Sequence, residues 1–396
     1  MTGMTSTARP HLNRRLAEFG TTIFAEMSAL AVATGAINLG QGFPDTDGPE
    51  EVREAAVRAL RDGRGNQYPP GAGIPELRTA VAAHQLHRYG LSYDPDTEVL
   101  VTAGATEAIA ASLLALLEPG DEVVALEPYY DSYAASIAMA GGRRVPVTLR
   151  PQDGSFRLDL DELRAAVTDR TRLLLINTPH NPTGTVLTRA ELAAIAGLAV
   201  ERDLLVVTDE VYEHLVFDDA EHLPLAAFPG MRERTVTIGS AGKTFSFTGW
   251  KVGWVTSTQE LVTAVRTVKQ FLTYVSAGPF QYAVAEALRL PDAYFDTFRA
   301  DHRRKRDLLG DGLRAAGFEV YQPQGTYFIT TDITPLGEKD ALAFCRALPE
   351  RCGVVAIPNS VFYDDRDAGR SQVRFAFCKR DDVLAEAADR LRRLTS

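Results

Sequence analysis

Short apolar runs alternate with longer amphipathic segments through the middle of the chain. The runs are rich in β-branched residues and predict strands at Val99–Thr102, Glu122–Leu126, Val145–Leu149, Arg172–Asn177, Leu204–Thr208, Thr235–Gly239 and Val252–Thr256. Helical spacing between them predicts helices at Thr106–Leu117, Tyr133–Ala140 and Arg189–Arg202. Near-continuous apolar strands joined by helices are typical of a mostly parallel sheet that is covered on both faces. We therefore predict a large α/β domain with a seven-stranded sheet.

The pattern changes after residue 290. A long charged helix is predicted over Tyr294–Ala316, and helices then mix with short strands at Phe318–Tyr321, Thr326–Ile329, Val354–Ile357 and Val373–Phe377. This mixture is typical of a smaller α+β domain. The start of the chain lacks strand alternation. We expect residues 1–45 to form an arm or join the small domain, residues 46–290 to form the large domain, and residues 291–396 to form the small one.

The composition is that of a folded protein without a membrane or nucleic-acid partner. Of 396 residues, 45% are apolar and 24% are charged, which excludes a disordered chain. The net charge of -10 disfavours nucleic acid and anionic membranes, since both attract clustered positive charge. No apolar run reaches the roughly 18–20 residues of a membrane span, and the N-terminal residues lack the apolar region of a signal peptide. We expect a cytoplasmic protein.

The cysteines and histidines are too scattered to predict a metal centre. The three cysteines form no CxxC pair, so neither a disulfide framework nor a zinc site is indicated. His84 and His87 share one face of a predicted helix, but no third ligand is apparent near them. We interpret both histidines as surface residues and expect no metal site.

The segment Ser240–Trp254 carries two of the six lysines in the chain, Lys243 and Lys251. The chain has 36 arginines against these six lysines, so lysine is used sparingly. A deprotonated lysine can form a Schiff base with a carbonyl group, which a guanidinium cannot do. The two lysines therefore either carry out amine chemistry or lie exposed on a turn.

Three further segments follow predicted strands. Asp209 comes after a buried strand, where its carboxylate could pair with a cationic ring nitrogen or cap a helix. Asn181 begins the sequence Asn-Pro-Thr-Gly, which is also typical of a plain turn. The small residues Gly104, Ala105 and Thr106 begin a predicted helix, whose backbone N–H groups can hold a phosphate. The carboxyl ends of parallel strands meet at one edge of a sheet, so these segments should lie together.

In combination these motifs resemble the fold-type-I, class I/II pyridoxal-phosphate (PLP) aminotransferases, in the kynurenine aminotransferase/glutamine transaminase K branch. The matching segments cover nearly the whole chain: 38–45, 66–68, 104–106, 127–131, 181–184, 209–212, 240–243, 249–253 and 374–375. The resemblance implies PLP as cofactor, a homodimer, and transfer of an amino group from an L-amino acid to a 2-oxo acid.

The resemblance also implies a role for each cofactor-binding residue. Lys243 would hold PLP covalently and carry the substrate proton, Asp209 would pair with the pyridinium N–H, and Tyr212 would act with them. Asn181 and Tyr212 would contact the 3-oxygen, and Tyr130 would stack on the ring. The phosphate would be bound by Gly104, Ala105, Thr106, Ser240 and Lys251, and by Tyr68 of the neighbouring subunit.

Four residues are implied on the substrate side. Arg374 would clamp the α-carboxylate with its planar fork of donors, and Asn181 would lie beside it. Gly42 lies where the N-terminal segment of the family closes over that carboxylate through its backbone. Phe43 either forms a wall of the substrate site or serves only in packing. His180 is assigned no role.

The substrate is less well defined by the sequence than the cofactor. Segments 21–33, 68–71, 179–182 and 377–382 are most similar to bacterial succinyldiaminopimelate aminotransferases, which use glutamate as the amino donor. Such a substrate needs a distal cation for its far carboxylates, and the sequence does not place one. Kynurenine, glutamine, methionine and aromatic amino acids are alternative substrates, and a cysteine-S-conjugate β-lyase is an alternative activity.

Overall fold

Strands and helices follow one another along the chain largely as the hydrophobic pattern predicts. A computed structural model describes residues 11–395, so residues 1–10 of the expected arm and Ser396 of the expected small domain lie outside the described residues. The strands are β1 (Ile37–Asn38), β2 (Val99–Thr102), β3 (Glu122–Glu127), β4 (Arg143–Thr148), β5 (Arg150–Gln152), β6 (Ser155–Arg157), β7 (Thr171–Asn177), β8 (Leu205–Asp209), β9 (Thr235–Ser240), β10 (Gly253–Thr256), β11 (Glu319–Tyr321), β12 (Phe328–Asp332), β13 (Val354–Val355), β14 (Ile357–Pro358) and β15 (Gln372–Ala376). The helices are α1 (Ile23–Thr34), α2 (Glu50–Arg61), α3 (Pro75–Tyr89), α4 (Gly104–Leu116), α5 (Asp131–Ala140), α6 (Leu160–Ala166), α7 (Arg189–Glu201), α8 (Ala241–Thr244), α9 (Gln259–Leu272), α10 (Gly278–Ala287), α11 (Asp292–Ala315), α12 (Ala341–Cys352) and α13 (Asp381–Leu391).

The large sheet has seven strands in the order β2-β10-β9-β8-β7-β3-β4. β10 pairs antiparallel with both of its neighbours, and the remaining pairs are parallel. This confirms the mostly parallel sheet predicted from the apolar runs. The small β5–β6 hairpin beside it was not predicted.

Side chains of the large sheet alternate between two apolar layers. Along β3, Val123 packs in the layer that contains α4 and α5, whereas Val124 packs in the layer that contains α6 and α7. The two-residue period of a strand sends successive side chains to opposite faces. Both faces are covered by helices, and for this reason the strand reads as a continuous apolar run.

The second sheet lies in the C-terminal part of the chain and is antiparallel, in the order β11-β12-β15-β14. The two-residue strand β1 pairs parallel with β13 beside it. Met27 of α1 and Leu39 pack in the same apolar core as Leu313 and Phe375. The N-terminal segment from Ile23 to Leu39 is therefore held against the C-terminal part of the chain.

The surface helices are amphipathic. α2, for example, buries Val52, Ala55 and Ala59, which lie three to four residues apart on one face. α7 begins with a capping box in which Thr188 and Glu191 satisfy each other's backbone N–H groups. None of the helices described between residues 11 and 395 has the length and apolar character needed to cross a membrane.

Candidate active site

A cavity of about 240 Å³ lies at the edge of the large sheet where β2, β7, β8 and β9 end. The register of the strands places Asn177 beside Asp209, and Asp209 beside Ile238. The segments that leave these strands therefore converge, as expected for an open α/β sheet. Most of the residues singled out from the sequence line the cavity: Gly42, Gly104, Ala105, Thr106, Tyr130, Asn181, Asp209, Tyr212, Ser240, Lys243, Lys251 and Arg374.

Lys243 is carried by the short helix α8, directly after β9. The side chain of Ser240 caps this helix by accepting a hydrogen bond of 3.3 Å from the backbone N–H of Gly242. Lys243 Nζ donates a hydrogen bond of 3.0 Å to the hydroxyl oxygen of Tyr327. Removal from bulk water lowers the pKa of Lys243 to about 8, with the nearby Cys378 thiol and Asp209 carboxyl acting in the opposite direction. A substantial part of the amine is thus neutral under mildly alkaline conditions.

Asp209 is the last residue of β8 and is buried. Tyr133 donates a hydrogen bond of 2.6 Å to Oδ2, and the backbone N–H of Val211 donates one of 3.3 Å to Oδ1. Burial raises the pKa of Asp209, whereas these two hydrogen bonds and the charge of Lys243 lower it. A further cation facing this carboxylate would favour its ionised form.

The opposite end of the cavity is suited to an anion. α4 begins at Gly104, which adopts a left-handed conformation with φ of 73°. A Cβ atom at this position would lie 3.2 Å from Lys251 Nζ, so the glycine leaves room for that lysine. Free N–H groups at a helix N-terminus and a lysine ammonium both attract a phosphate.

Arg374 extends into the cavity from β15 of the second sheet. Its Nη1 donates to Asn181 Oδ1 and its Nη2 donates to the carbonyl oxygen of Gly40, each over 2.9 Å. The ring centroid of Phe328 lies 4.0 Å from the guanidinium carbon, and Arg374 Nε is buried without a partner. Burial lowers the pKa of Arg374 to about 10, which leaves the side chain cationic at neutral pH. The site thus holds a fixed cation with an unused donor, as a carboxylate requires.

The structure adds residues that the sequence analysis did not identify. Tyr133, which contacts Asp209, lies three positions after Tyr130 on α5. Tyr327 accepts from Lys243 and donates to the carbonyl oxygen of Gly42. Phe24, Gln41 and Phe328 also line the cavity. The Tyr-Phe pair at 327–328 follows Gly325 and Thr326 in the sequence, but nothing in that pattern indicates contact with a lysine 84 positions away.

Two of the predicted site residues do not line the cavity. Phe43 is 46% exposed, and its carbonyl oxygen accepts a hydrogen bond of 2.7 Å from Lys379 Nζ, which also lies 4.3 Å from its ring centroid. Of the two alternatives for Phe43, this position favours packing. Tyr68 is 81% exposed, and its ring lies edge-on to that of Tyr274 at 5.5 Å.

The interpretation of His84 as a surface residue was wrong. His84 is 5% exposed, and its Nε2 lies 2.9 Å from Nε2 of His214, a residue far away in the sequence. His87, by contrast, is exposed and pairs with Asp292. The helical spacing placed the two histidines on one face of α3, but it could not show that the loop after β8 covers only one of them.

Comparison with known proteins defines the class of this protein. The family described as aminotransferase class I and II matches residues 34–391. The chain therefore belongs to this PLP-dependent family, and it is an aminotransferase. This confirms the family that the sequence motifs indicated.

Individual relatives match over almost their whole length. The "Probable N-succinyldiaminopimelate aminotransferase DapC" of Mycobacterium tuberculosis is 56% identical over 385 residues, which cover 95% of this chain and 97% of that protein. The solved structure of the N-succinyldiaminopimelate aminotransferase of the same organism has a TM-score of 0.95 at 57% identity, covering 97% of this chain and all of the other. The methionine aminotransferase of Escherichia coli is 41% identical over 96% of this chain and 97% of its own. These matches confirm the predicted fold type I.

Proposed function

We propose that this protein binds PLP through Lys243 and transfers an amino group between N-succinyl-LL-2,6-diaminopimelate and the glutamate/2-oxoglutarate couple. The observation that carries the choice of substrate is the 56% identity, over 95% of this chain, to the M. tuberculosis protein named for that substrate. The observation that supports PLP is the placement of Lys243, Asp209 and Arg374 around one cavity.

The residues of the cavity fit PLP. Asp209 is a buried carboxylate that a pyridinium N–H would keep ionised. The N-terminus of α4, with Lys251 and Ser240 beside it, would bind the phosphate, and Tyr130 would cover one face of the ring. When bound, PLP supplies an aldehyde carbon at which amino groups exchange and a ring that withdraws electrons from the substrate α-carbon.

Lys243 acts as the proton carrier in this proposal. Its lowered pKa lets Nζ accept the proton from the substrate α-carbon and release it again. Tyr327 holds Nζ on one side through its hydroxyl oxygen. Because Tyr327 also donates to the carbonyl oxygen of Gly42, the segment around Gly42 and the amine are kept in one fixed arrangement.

Arg374 orients the substrate. Asn181 and Gly40 hold two of its nitrogens, so the guanidinium plane is fixed before a carboxylate arrives. A bound α-carboxylate then restricts rotation about the α-carbon and directs the C–H bond toward Lys243. The aromatic ring of Phe328 excludes water from one face of the guanidinium, which strengthens its interaction with a carboxylate.

A screen of amino donors with the purified full-length protein tests the substrate. N-succinyl-LL-2,6-diaminopimelate, methionine, kynurenine, glutamine and an aromatic amino acid are each offered with 2-oxoglutarate and with pyruvate, and kcat/KM is measured by formation of the new amino acid. We expect the succinylated substrate to exceed the others at least tenfold. A higher value for methionine would instead support the activity named for the E. coli relative. Release of pyruvate and ammonia from a cysteine S-conjugate, without dependence on a 2-oxo acid, measures the lyase alternative.

We also propose that the functional unit is a homodimer in which Tyr68 reaches the phosphate of the neighbouring subunit. Exposed apolar side chains support the proposal: Tyr274, whose ring lies 5.5 Å from that of Tyr68, is 54% exposed, and Phe271, three positions earlier in the chain, is 83% exposed. Exposed apolar groups that lie close together are typical of an interface.

Mixed dimers test this arrangement. Neither Lys243→Ala nor Tyr68→Phe should retain full activity by itself. If Tyr68 serves the partner's site, refolding the two variants together creates one intact site per mixed dimer, and activity should rise severalfold above that of either variant. A monomer in light scattering, or no recovery on mixing, would refute the proposal.

The division into residues 1–45, 46–290 and 291–396 remains part of this proposal. It is supported by separate apolar cores, since Val123 and Val124 belong to the layers of the large sheet while Leu313 and Phe375 belong to another core. The contact of Met27 with the latter core favours the alternative in which the N-terminal segment joins the small domain.

We further propose a cytoplasmic location. Cys345, Cys352 and Cys378 are all free and buried. Unpaired thiols are typical of proteins in reducing compartments, where disulfides do not persist. Cell fractionation with an antibody against the chain tests this assignment.

A further inference from the structure

Two histidines and a glutamate come together between α3 and the loop that follows β8. His84 belongs to α3, whereas Glu213 and His214 follow Asp209 by four and five positions. One ligand atom from each of the three residues lies within 4.8 Å of the others. His84 Nε2 lies 2.9 Å from His214 Nε2, which lies 3.9 Å from Glu213 Oε1. All three residues are buried.

Glu213 and His84 each use their other polar atom for a contact outside the cluster, and the two histidine Nε2 atoms that face each other share a hydrogen bond that an ion would replace. Tyr89 donates a hydrogen bond of 2.7 Å to Glu213 Oε2, so Oε1 is the oxygen that faces His214. His84 makes a hydrogen bond with the backbone of Leu288, and it must use Nδ1 for this because Nε2 faces His214. Such outer contacts fix the ring orientation and the tautomer of metal-binding histidines.

The rings are also fixed by packing. Phe295 of α11 contacts both histidines, with ring centroids 5.6 Å from His84 and 4.6 Å from His214. Burial lowers the pKa of His84 to about 4 and that of His214 well below its ordinary value, so both rings are neutral at pH 7 and can offer lone pairs. Only the neutral imidazole binds a metal ion.

We propose that His84, Glu213 and His214 form a binding site for a divalent transition-metal ion of the Zn²⁺ class. Two imidazole nitrogens and one carboxylate oxygen are a donor set that Zn²⁺ accepts, with ligand distances of about 2.0–2.2 Å. Ligand atoms around such an ion lie roughly 3 Å or slightly more apart, so the observed separations of 2.9 and 3.9 Å require only small side-chain rotations.

Space for a fourth ligand lies beside two of the three residues. Glu213 and His214 line a second cavity of about 460 Å³, together with Tyr89 and His222. A water molecule in this cavity would complete four-coordinate geometry, and the cavity provides an entry path for the ion. The bound ion would join α3 to the loop that carries Tyr212, and its role would be structural.

Nearby charges partly oppose and partly favour a cation here. The guanidinium of Arg88 lowers the pKa of both histidines, and it would repel the ion. Asp292 offsets that charge through an ion pair of 2.8 Å with Arg88. The carboxylate of Glu213 supplies a negative charge at the site itself, and binding of the ion would keep it ionised.

Direct metal binding to the purified full-length enzyme tests the proposal. The enzyme is dialysed against a chelator and then titrated with Co²⁺ alone, whose visible d–d bands report four-coordinate geometry. We expect one equivalent of Co²⁺ per chain, displacement by Zn²⁺, and a rise of several degrees in the unfolding midpoint with Zn²⁺. Glu213→Gln and His214→Gln should each lower the affinity at least tenfold.

The controls separate loss of a ligand from loss of the fold. Glu213→Gln keeps the shape of the side chain and an acceptor for Tyr89, and circular dichroism establishes that each variant is folded. His222 is a buried histidine of the same cavity that pairs with Glu210 and is not a proposed ligand. The affinity of the His222→Gln variant for Co²⁺ should therefore remain unchanged. Binding of less than a tenth of an equivalent of Co²⁺ per chain would overturn the proposal. So would unchanged affinity in both ligand variants, or a loss confined to His222→Gln.

Discussion

Lys243 Nζ and the hydroxyl oxygen of Tyr327 lie 3.0 Å apart, with the amine as donor. Tyr327 is fully buried, and its hydroxyl donates a hydrogen bond to the carbonyl oxygen of Gly42. The phenol therefore presents a lone pair, not a proton, to the lysine. An acceptor in this position stabilises the ammonium form, and it opposes the burial that lowers the pKa of Lys243 to about 8.

Tyr327→Phe should lower the pKa of Lys243 further. A hydrogen bond to a charged group contributes about 1.5 kcal/mol or more, which corresponds to roughly one pH unit. Competitive acetylation of the cofactor-free protein across a pH series, followed by peptide mass spectrometry, measures this pKa directly. Tyr321→Phe serves as control, because Tyr321 is buried on β11 against Phe156 and away from the lysine. A pKa that stays near 8 would show that Tyr327 has no such effect.

Tyr133→Phe should weaken cofactor binding. The hydroxyl of Tyr133 lowers the pKa of Asp209, so its removal raises that pKa and moves the loss of the carboxylate charge to higher pH. We expect the affinity for PLP to fall about tenfold and the acidic limb of kcat/KM to shift upward. Equilibrium dialysis and a pH–rate profile measure the two effects. Tyr129→Phe is the matched control, since it also removes a hydroxyl that donates to a carboxylate. That carboxylate belongs to Asp364, which does not line the cavity. Equal affinities for the two variants would contradict the role of Tyr133.

Arg374→Lys should separate carboxylate binding from the rest of the reaction. An ammonium cannot reproduce the planar fork that Asn181 and Gly40 hold in place. We expect kcat/KM for both the amino acid and the 2-oxo acid to fall roughly a hundredfold or more, whereas amines without a carboxylate should be little affected. Arg370→Lys, at an exposed arginine before β15, is the control. Unchanged amino-acid kinetics would remove Arg374 from the substrate site.

The burial of His302 should make the protein less stable in acid. The residue is buried on α11, and burial lowers its pKa to about 4 from an ordinary value of 6.5. Between these two values the unfolded chain binds a proton that the folded chain does not, so the free energy of unfolding falls as the pH falls. The contribution is at most about 1.4 kcal/mol per pH unit.

Denaturation of His302→Gln in urea, at fixed protein concentration from pH 7 to 4.5, checks this expectation. The slope of stability against pH should decrease by up to about 1.4 kcal/mol per unit, even if the variant is less stable overall. His11→Gln alters an exposed histidine and should leave the slope unchanged. An unaltered slope in His302→Gln would show that the buried histidine does not couple to acid unfolding.

Residues at strand ends could be found from the sequence because a parallel sheet brings those ends together. Asp209 and Ser240 each end a buried apolar run, and their strands pair in register with β7 and β10. Local pattern therefore predicts both the strand and the position of the side chain that follows it. The grouping of these side chains at one edge of the large sheet could be predicted for this reason.

Contacts between distant segments could not be predicted in the same way. Tyr133 and Asp209 are 76 positions apart, and His84 and His214 are 130 positions apart. The predicted strand Val354–Ile357 shows a related difficulty, because it divides where Val355 pairs with β1 and Ile357 pairs with β15. A strand that changes partners has the same apolar pattern as one that does not, so only the tertiary structure reveals the division.

Gly104→Ala should impair phosphate binding more than it impairs folding. The φ of 73° costs an alanine about 1 kcal/mol, and the added Cβ would also lie 3.2 Å from Lys251 Nζ, displacing the cation that faces the anion end of the cavity. Gly35→Ala provides a matched control, since Gly35 has a φ of 64° at the end of α1, and an added Cβ there would meet no atom of a non-adjacent residue within 4 Å. We expect a similar loss of stability in both variants, but a fall in PLP affinity of at least tenfold only in Gly104→Ala. Equal PLP affinities in the two variants, measured by titration of the cofactor-free protein, would show that the space beside Lys251 is not needed for the phosphate.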